Sequence, residues 1–204
     1  MGRIAKICFS SKNFLGETFG EDKFLVSEMG VAVIDGLQQG DFSTDTSVLS
    51  TAKHFVAGSD PINGLNLSPM DVSMRSLRED YFPPFKRAIE AGAFTLMAAH
   101  NEVNGVPAHA NHFLLTEVLR DEWDFQGFVV SDWLDVGRLK TYHRTATTFK
   151  DAVYQSVDAG MDMHMHGPYF LDFIVELVRE NKISEKRIDE SARKILLAKF
   201  KLGL

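Results

Sequence analysis

The pattern of apolar and polar positions divides the chain into short apolar runs that are followed directly by polar residues. Residues 93–99 and 127–130 are largely continuous apolar runs, which are typical of strands buried on both faces of a sheet. Weaker β-prone runs occur at residues 49–57 and 159–167. We therefore predict four strands, and at the end of each strand the chain becomes polar.

Helical periodicity occupies the segments between and after these runs. It is present in residues 71–79 leading into 83–92, and in residues 113–120, 148–158, 169–180 and 184–200. Gly92 suits the C-terminal end of a helix, and Ser184 suits the position that caps a helix N-terminus. The alternation of strands and helices predicts an α/β fold in which parallel strands are joined by helical crossovers.

The polar residues at the predicted strand ends are the candidates for function, because that edge of a parallel sheet carries the chemistry of α/β domains. Lys53 and His54 lie near the end of the first run, His100 follows the second, and Asp132 and Trp133 follow the third. A carboxylate at this place is a candidate nucleophile or base. An indole beside it is a candidate platform for the apolar face of a sugar ring.

The fourth run raises an alternative based on metal binding. Asp162 is a weaker candidate for substrate contact and more structural in character, while His164 and His166 share one strand face if the run is extended. With His109 and His112 also close in sequence, these histidines suggest a zinc or iron site as an alternative. The spacing fixes no third ligand and no supporting shell, so a metal-dependent barrel enzyme is the least favoured alternative.

Composition narrows the class of protein. Hydrophobic residues make up 45% of the 204 residues, enough for a core, and no apolar run approaches the length of a membrane span. The formal net charge of −6 argues against a nucleic acid partner. Cys8 is the single cysteine, which excludes an intrachain disulfide. Residues 1–10 lack the features of a signal peptide, so the compartment stays open; a periplasmic or secreted parent protein is compatible with the sequence.

Several ordered motifs together resemble a known family. They are Phe-Gly-Glu-Asp at 19–22, Lys-His-Phe at 53–55, Leu-Arg-Glu at 77–79, Pro-Pro-Phe at 83–85, Asn-Gly-Val-Pro-Ala at 104–108, and the segments 115–123, 127–133 and 192–203. Over residues 17–204 the chain resembles glycoside hydrolase family 3, the β-glucosidase-like enzymes. Members of this family open with a (β/α)8-type barrel domain, which an α/β sandwich domain usually follows.

The resemblance and the length together predict a partial barrel. A complete barrel takes about 250 residues, whereas this chain has 204 and four predicted strands. We therefore expect roughly the C-terminal half of a (β/α)8 TIM-type barrel at residues 17–204, preceded by a divergent N-terminal segment at residues 1–16. The C-terminal α/β sandwich domain of the parent protein would be missing.

The resemblance also implies a mechanism, retaining hydrolysis of a β-linked glycoside or oligosaccharide with no cofactor and no metal. Asp132 matches the family nucleophile, kept ionised by nearby Lys53, and Lys53 and His54 match its sugar-binding pair. His100 stands where many members have a tyrosine, and Trp133 would border the leaving group. The general acid/base usually comes from the second domain, and losing it costs about 10²- to 10⁴-fold in rate.

Two consequences follow for the chain alone. We expect little or no turnover, so a catalytically inactive carbohydrate-binding fragment is the main alternative to an active glycosidase. An N-acetylglucosaminidase branch of the family places a His-Asp pair after Lys-His-Phe, but no histidine occurs between His54 and His100. The incomplete barrel would also leave open sheet edges that favour association.

Overall fold

The structure is a computed structural model that describes residues 4–8, 18–40, 42 and 44–204, with the backbone alone described for residues 4–8. Six strands are described: β1 Ile4–Cys8, β2 Leu49–Phe55, β3 Thr95–Ala98, β4 Glu102–Val103, β5 Val106–Pro107 and β6 Phe128–Val130. The α-helices are α1 Lys23–Gln38, α2 Met74–Ser76, α3 Phe82–Glu90, α4 Asp135–Thr141, α5 Phe149–Ala159, α6 Phe170–Arg179 and α7 Glu185–Lys201. Segments Leu77–Tyr81 and Phe113–Glu122 are π-helical, and Ala108–Ala110 is a 3₁₀ turn.

A four-stranded parallel sheet in the order β1-β2-β3-β6 forms the centre of the fold. Helices connect its successive strands, which confirms the predicted α/β class with a parallel sheet and helical crossovers. Strand β1 was not among the predicted strands. Conversely, the predicted strand at 159–167 contributes only one parallel bridge, between Met163 and Val130. The short strands β4 and β5 form a separate antiparallel pair.

The largest apolar cluster lies where the sheet meets α1, α3 and the π-helical segment Phe113–Glu122. Phe55, at the end of β2, is fully buried, and its ring contacts those of Phe82, Phe85 and Trp123 at centroid distances of 5.2 to 6.1 Å. Aromatic pairs at these separations contribute beyond the area they bury. This packing fixes the end of β2, where Lys53 and His54 lie. In the described residues no helix has both the length and the apolar character to cross a bilayer.

The helix ends follow the expected chemistry. The side chain of Ser184 accepts a hydrogen bond from the N–H of Arg187 and so caps α7. Gly92 follows α3 with a φ of +89°, a conformation that glycine adopts at no steric cost. Helix α4 was not predicted, because it is short and is preceded by Leu134 at a φ of +63°. It returns the chain towards the end of β6.

Asp162 fastens the C-terminal helix to the sheet. Its side chain has no exposed surface, and its Oδ2 accepts hydrogen bonds from Arg120 (2.6 Å) and from the N–H of Val129 (3.0 Å). Its Oδ1 accepts from Ser191 (2.7 Å) and lies 3.2 Å from Nζ of Lys194. Burial raises the pKa of Asp162, but the charges of Arg120 and Lys194 outweigh it and the pKa is lowered. The residue is therefore structural.

We predict that Asp162→Asn lowers the free energy of unfolding by about 3–5 kcal/mol, because Arg120 and Lys194 would be left largely buried without their counter-charge. Urea unfolding at neutral pH measures the effect. Asp189→Asn, at an exposed position of α7, is the matched control and should change stability by less than about 0.5 kcal/mol. Equal effects of the two substitutions would show that the Asp162 cluster does not hold the fold together.

Candidate active site

Asp132 lies directly beyond β6, and the backbone around it holds its carboxylate in place. The N–H of Ser131 donates to the carbonyl of Met163 (2.8 Å), which joins the residue before Asp132 to the sheet. The N–H of Asp132 donates to Nε2 of His109 (3.0 Å). The N–H of Trp133 donates to Oδ1 of Asp132 (2.6 Å). One carboxylate oxygen is therefore fixed by the backbone, and the other is directed elsewhere.

Two imidazoles approach that second oxygen. Nε2 of His54, from the end of β2, and Nε2 of His100, from beyond β3, each lie 3.1 Å from Oδ2 of Asp132. The two rings are stacked with centroids 5.7 Å apart. Oδ2 is buried, and within the described part of the chain no hydrogen bond of good geometry reaches it. The structure thus brings together three of the five predicted site residues around one atom.

The electrostatics of this cluster favour an ionised carboxylate. Burial raises the pKa of Asp132, but the approach of His54, the charge of His100 and the N–H of Trp133 together hold it well below its usual range. The largest lowering effects come from the imidazoles and not from Lys53, to which the sequence analysis assigned this role. A carboxylate that stays ionised is available as a nucleophile throughout the neutral range.

His100 connects Asp132 to a second buried carboxylate. Its Nδ1 lies 2.6 Å from Oδ2 of Asp135, whose side chain is only 1% exposed. Arg138 also forms an ion pair with Asp135 and donates a hydrogen bond to the carbonyl of Trp133 (3.0 Å). Both ring nitrogens of His100 therefore face carboxylates, Nε2 towards Asp132 and Nδ1 towards Asp135. Asp135 and Arg138 thereby set the orientation of His100.

His109 contacts the backbone of Asp132 as a neutral ring. It is buried in the 3₁₀ turn that precedes the second π-helical segment, and burial lowers its pKa to about 4 despite the opposing charges of Asp135 and Asp132. Because its Nε2 accepts the N–H of Asp132, the proton of the neutral ring is assigned to Nδ1, which lies 3.7 Å from Asp135. In this tautomer the ring accepts the N–H of Asp132 and so connects the backbone at Asp132 to the 3₁₀ turn.

Trp133 and Lys53 lie at the edge of the cluster. Trp133 is 52% exposed, and its indole stacks on His166 with centroids 3.9 Å apart. Lys53 is half-buried beside His54 at the end of β2. Neither side chain belongs to the apolar core.

The histidines that suggested a metal site are dispersed. His164 stacks on Phe170 at 4.4 Å, whereas His166 stacks on Trp133, so the extended run expected to align them is not formed. His112 is exposed and pairs with Glu117. In the part of the chain that the structure describes, the one group of three acidic or histidine side chains with converging ligand atoms is His54, His100 and Asp132.

Sequence reasoning missed the inner layer of the site. His109, Asp135 and Arg138 were not proposed as partners of Asp132, although Asp135 lies three residues beyond it in the same loop. Their roles depend on the turn at Leu134 and on α4, and neither has a strong sequence signal. A charged residue just past a strand end was the one available indication.

We predict that His109→Gln reduces the pH dependence of stability between about pH 4.5 and 6.5. The pKa of His109 is lowered on folding, so its stabilising effect is complete above the unfolded value near 6.5 and is lost as the pH falls towards about 4. Glutamine keeps an acceptor for the N–H of Asp132 but cannot take up the proton. Urea unfolding over this range should show close to one proton fewer taken up per unfolding event.

His112→Gln is the matched control, since that ring is 56% exposed. It should leave the slope of stability against pH unchanged. A slope that is the same in wild type and His109→Gln would contradict the assignment of His109 as a buried neutral ring.

Comparisons with known proteins place this site in a family. A model of the glycosyl hydrolase family 3 N-terminal domain matches residues 6–198. A β-xylosidase from Formosa agariphila is 43% identical over 198 residues, which cover 92% of this chain and 27% of that protein. A lysosomal β-glucosidase from Dictyostelium discoideum is also 43% identical, covering 92% of this chain and 24% of the relative. The chain thus spans less than a third of either relative.

Solved structures agree. A β-glucosidase from Listeria innocua superposes with a TM-score of 0.94 and 34% identity, over 99% of this chain and 29% of that protein. The same enzyme in complex with isofagomine gives a TM-score of 0.93. Since the family model covers nearly the whole chain and relatives at 43% identity match most of it, this chain belongs to glycosyl hydrolase family 3, in the family's N-terminal domain.

Proposed function

We propose that this chain is the nucleophile-bearing part of a retaining β-glycosidase of the β-glucosidase or β-xylosidase type. The observation that carries the proposal is the Asp132 carboxylate at the end of β6, buried, ionised and flanked by His54 and His100 at 3.1 Å. In a retaining mechanism such a carboxylate attacks the anomeric carbon and forms a covalent glycosyl-enzyme intermediate. The names of the matched relatives support a glucoside or xyloside substrate.

The proposed substrate contacts surround Asp132. His54 and Lys53 would donate hydrogen bonds to the hydroxyl groups of the glycosyl unit. His100 would hold the Asp132 carboxylate in its attacking orientation, since its own position is fixed by Asp135. The half-exposed indole of Trp133 offers apolar surface beside the leaving group. In this arrangement Asp132 supplies the electron pair, and the other four side chains bind and orient.

The second carboxyl group of the mechanism is proposed to lie outside this chain. Retaining enzymes place their two carboxyl groups about 5–5.5 Å apart and use the second as acid and then base. Asp135 is the nearby carboxylate of the described cluster, but it is 1% exposed and held by His100 and Arg138, so it cannot deliver a proton to a leaving group. We propose that this carboxyl group comes from a domain that follows the barrel, in the part of the relatives that this chain does not cover.

The same reasoning supports a partial barrel. We propose that β1, β2, β3, β6 and the strand position at Met163 are consecutive strands of a (β/α)8-type barrel. Each of them pairs in parallel with the next, and helices connect them. The other strands of the barrel would belong to the part of the relatives that this chain does not match. On this proposal the chain alone binds a β-glycoside but turns it over slowly.

We predict that a deoxyfluoro β-glucosyl fluoride, with fluorine at the second carbon, labels Asp132 covalently. The bond between the anomeric carbon and fluoride breaks, a bond from a carboxylate oxygen to that carbon forms, and fluoride leaves without needing an acid. The fluorine on the ring slows hydrolysis of the ester. Intact mass measurement should show one added deoxyfluoroglucosyl group, and peptide mapping should place it on Asp132.

Two variants make the labelling experiment specific. Asp132→Asn should not be labelled, whereas Asp158→Asn, at an exposed position of α5, should be labelled at the wild-type rate. Circular dichroism spectra of both variants check that the fold is retained. Label on another carboxylate, or equal labelling of Asp132→Asn, would contradict the proposed nucleophile. The xylosyl analogue, tested in parallel, distinguishes the two sugar types.

We also predict that hydrolysis by the chain depends steeply on the leaving group. Without a general acid, cleavage of a methyl β-glucoside should be about 10²- to 10⁴-fold slower than in an enzyme that has one. A dinitrophenyl β-glucoside should be far less affected, because its leaving group departs without being protonated. Release of the two alcohols, compared at one pH, measures the ratio. The comparison uses kcat/KM, which reports formation of the glycosyl-enzyme and not its hydrolysis; similar kcat/KM values for both substrates would mean that the acid/base is present in this chain.

A further inference from the structure

Three ligand atoms converge at the candidate nucleophile in the geometry of a metal site. Nε2 of His54 and Nε2 of His100 each lie 3.1 Å from Oδ2 of Asp132, and all three atoms lie within 4.8 Å of one another. Around a tetrahedral zinc ion with bonds of about 2.0–2.2 Å, neighbouring ligand atoms are about 3.3–3.5 Å apart. The two separations that involve Oδ2, 3.1 Å each, are within a few tenths of an ångström of this value, and the two imidazole nitrogens lie no more than 4.8 Å apart.

The Asp132 oxygen that faces the imidazoles, Oδ2, has no well-aligned hydrogen bond within the described part of the molecule. Oδ1 already accepts the N–H of Trp133, whereas Oδ2 is buried and receives no hydrogen bond of good geometry from the described residues. The two imidazole nitrogens lie 3.1 Å from this oxygen but form no well-aligned hydrogen bond to it, so its hydrogen-bonding capacity is incompletely used. A cation bound by Oδ2 and both imidazoles would satisfy it.

The supporting shell of a metal site is also present. Metal-ligating histidines almost always donate their other ring N–H to a carboxylate or carbonyl, which orients the ring and raises its basicity. Nδ1 of His100 faces Oδ2 of Asp135 at 2.6 Å, and Arg138 holds Asp135 in turn. His100 is therefore arranged with one nitrogen anchored and the other presented to the cluster.

We propose that His54, His100 and Asp132 bind a divalent cation of the zinc type, which occupies the candidate nucleophile reversibly. Two imidazoles and one carboxylate favour zinc over magnesium or calcium, which prefer all-oxygen sites. Both histidine side chains are 20% exposed, so the ion can enter and keep a fourth position open. That the bound ion blocks glycoside hydrolysis rests on the proposed function; the binding itself does not.

Isothermal titration calorimetry, in which zinc is added to the chelator-treated chain, tests the site. We expect one ion per chain, and with cobalt in its place a visible absorption spectrum of tetrahedral type. His100→Phe should abolish the binding event, and His100→Tyr should do the same while keeping a polar ring. Asp135→Asn should weaken binding by about 10- to 100-fold, the usual effect of removing a carboxylate behind a ligating histidine.

His112→Phe is the matched control, because it removes an exposed histidine away from the cluster and should leave affinity and stoichiometry unchanged. Circular dichroism checks each variant. Absence of stoichiometric binding in the wild-type chain, or equal loss in His112→Phe and His100→Phe, would overturn the proposal. The outcome is separable from the proposed function: zinc binding without Asp132 labelling refutes only the glycosidase, and labelling without zinc binding refutes only the metal site.

Discussion

The buried negative charge of Asp132 is the constraint around which the site is organised. An ionised carboxylate at 11% side-chain exposure is unfavourable unless hydrogen bonds and opposite charges surround it. The N–H of Trp133 provides the first, and the imidazoles of His54 and His100 provide the second. These partners come from the ends of three different strands, so the charge is stable only when the sheet has brought those ends together.

A second buried carboxylate, Asp162, meets the same requirement in another way. Its partners are the basic side chains of Arg120, Arg187 and Lys194, together with the hydroxyl of Ser191. Such a cluster leaves no oxygen available to a ligand and is suited to holding α7 against the sheet. Asp132, in contrast, is flanked by side chains that can exchange a proton and are partly exposed. The difference in partners separates a structural carboxylate from one that can react.

The sequence predicted the elements that depend on local pattern. Continuous apolar runs located β3 and β6, helical periodicity located α5, α6 and α7, and the polar residues at strand ends located His54, His100 and Asp132. Strand β1 and helix α4 were missed. The former lies in the segment 1–16 that the sequence analysis set apart as divergent. The latter depends on Leu134 in a left-handed conformation, and no glycine or asparagine at that position indicates the turn.

The inner layer of the site could not be predicted because it depends on tertiary packing. His109 is a neutral ring only because the fold buries it completely, and a histidine of that kind looks like any other in the sequence. Asp135 belongs to the site because α4 turns it back under His100. The run after residue 159 illustrates the same limit, because its polar and apolar residues alternate as in a strand. Asp162 nevertheless bonds to α7 as well as to Val129, and the β-bridge to the sheet is formed at Met163.

His100 shows how one substitution changes the chemistry open to the site. The tyrosine expected at this position from the family resemblance would present one hydroxyl to Asp132 and carry no charge. An imidazole has two nitrogens in opposite directions, so it can join Asp132 to Asp135, and Arg138 then completes the charge balance of the pair. His100, Asp135 and Arg138 are therefore one unit, because removal of the imidazole would leave Arg138 to hold the buried Asp135 carboxylate without the contact from Nδ1. The nitrogen that faces Asp132 is also a metal donor, so the same residue that orients the candidate nucleophile makes it accessible to a competing cation.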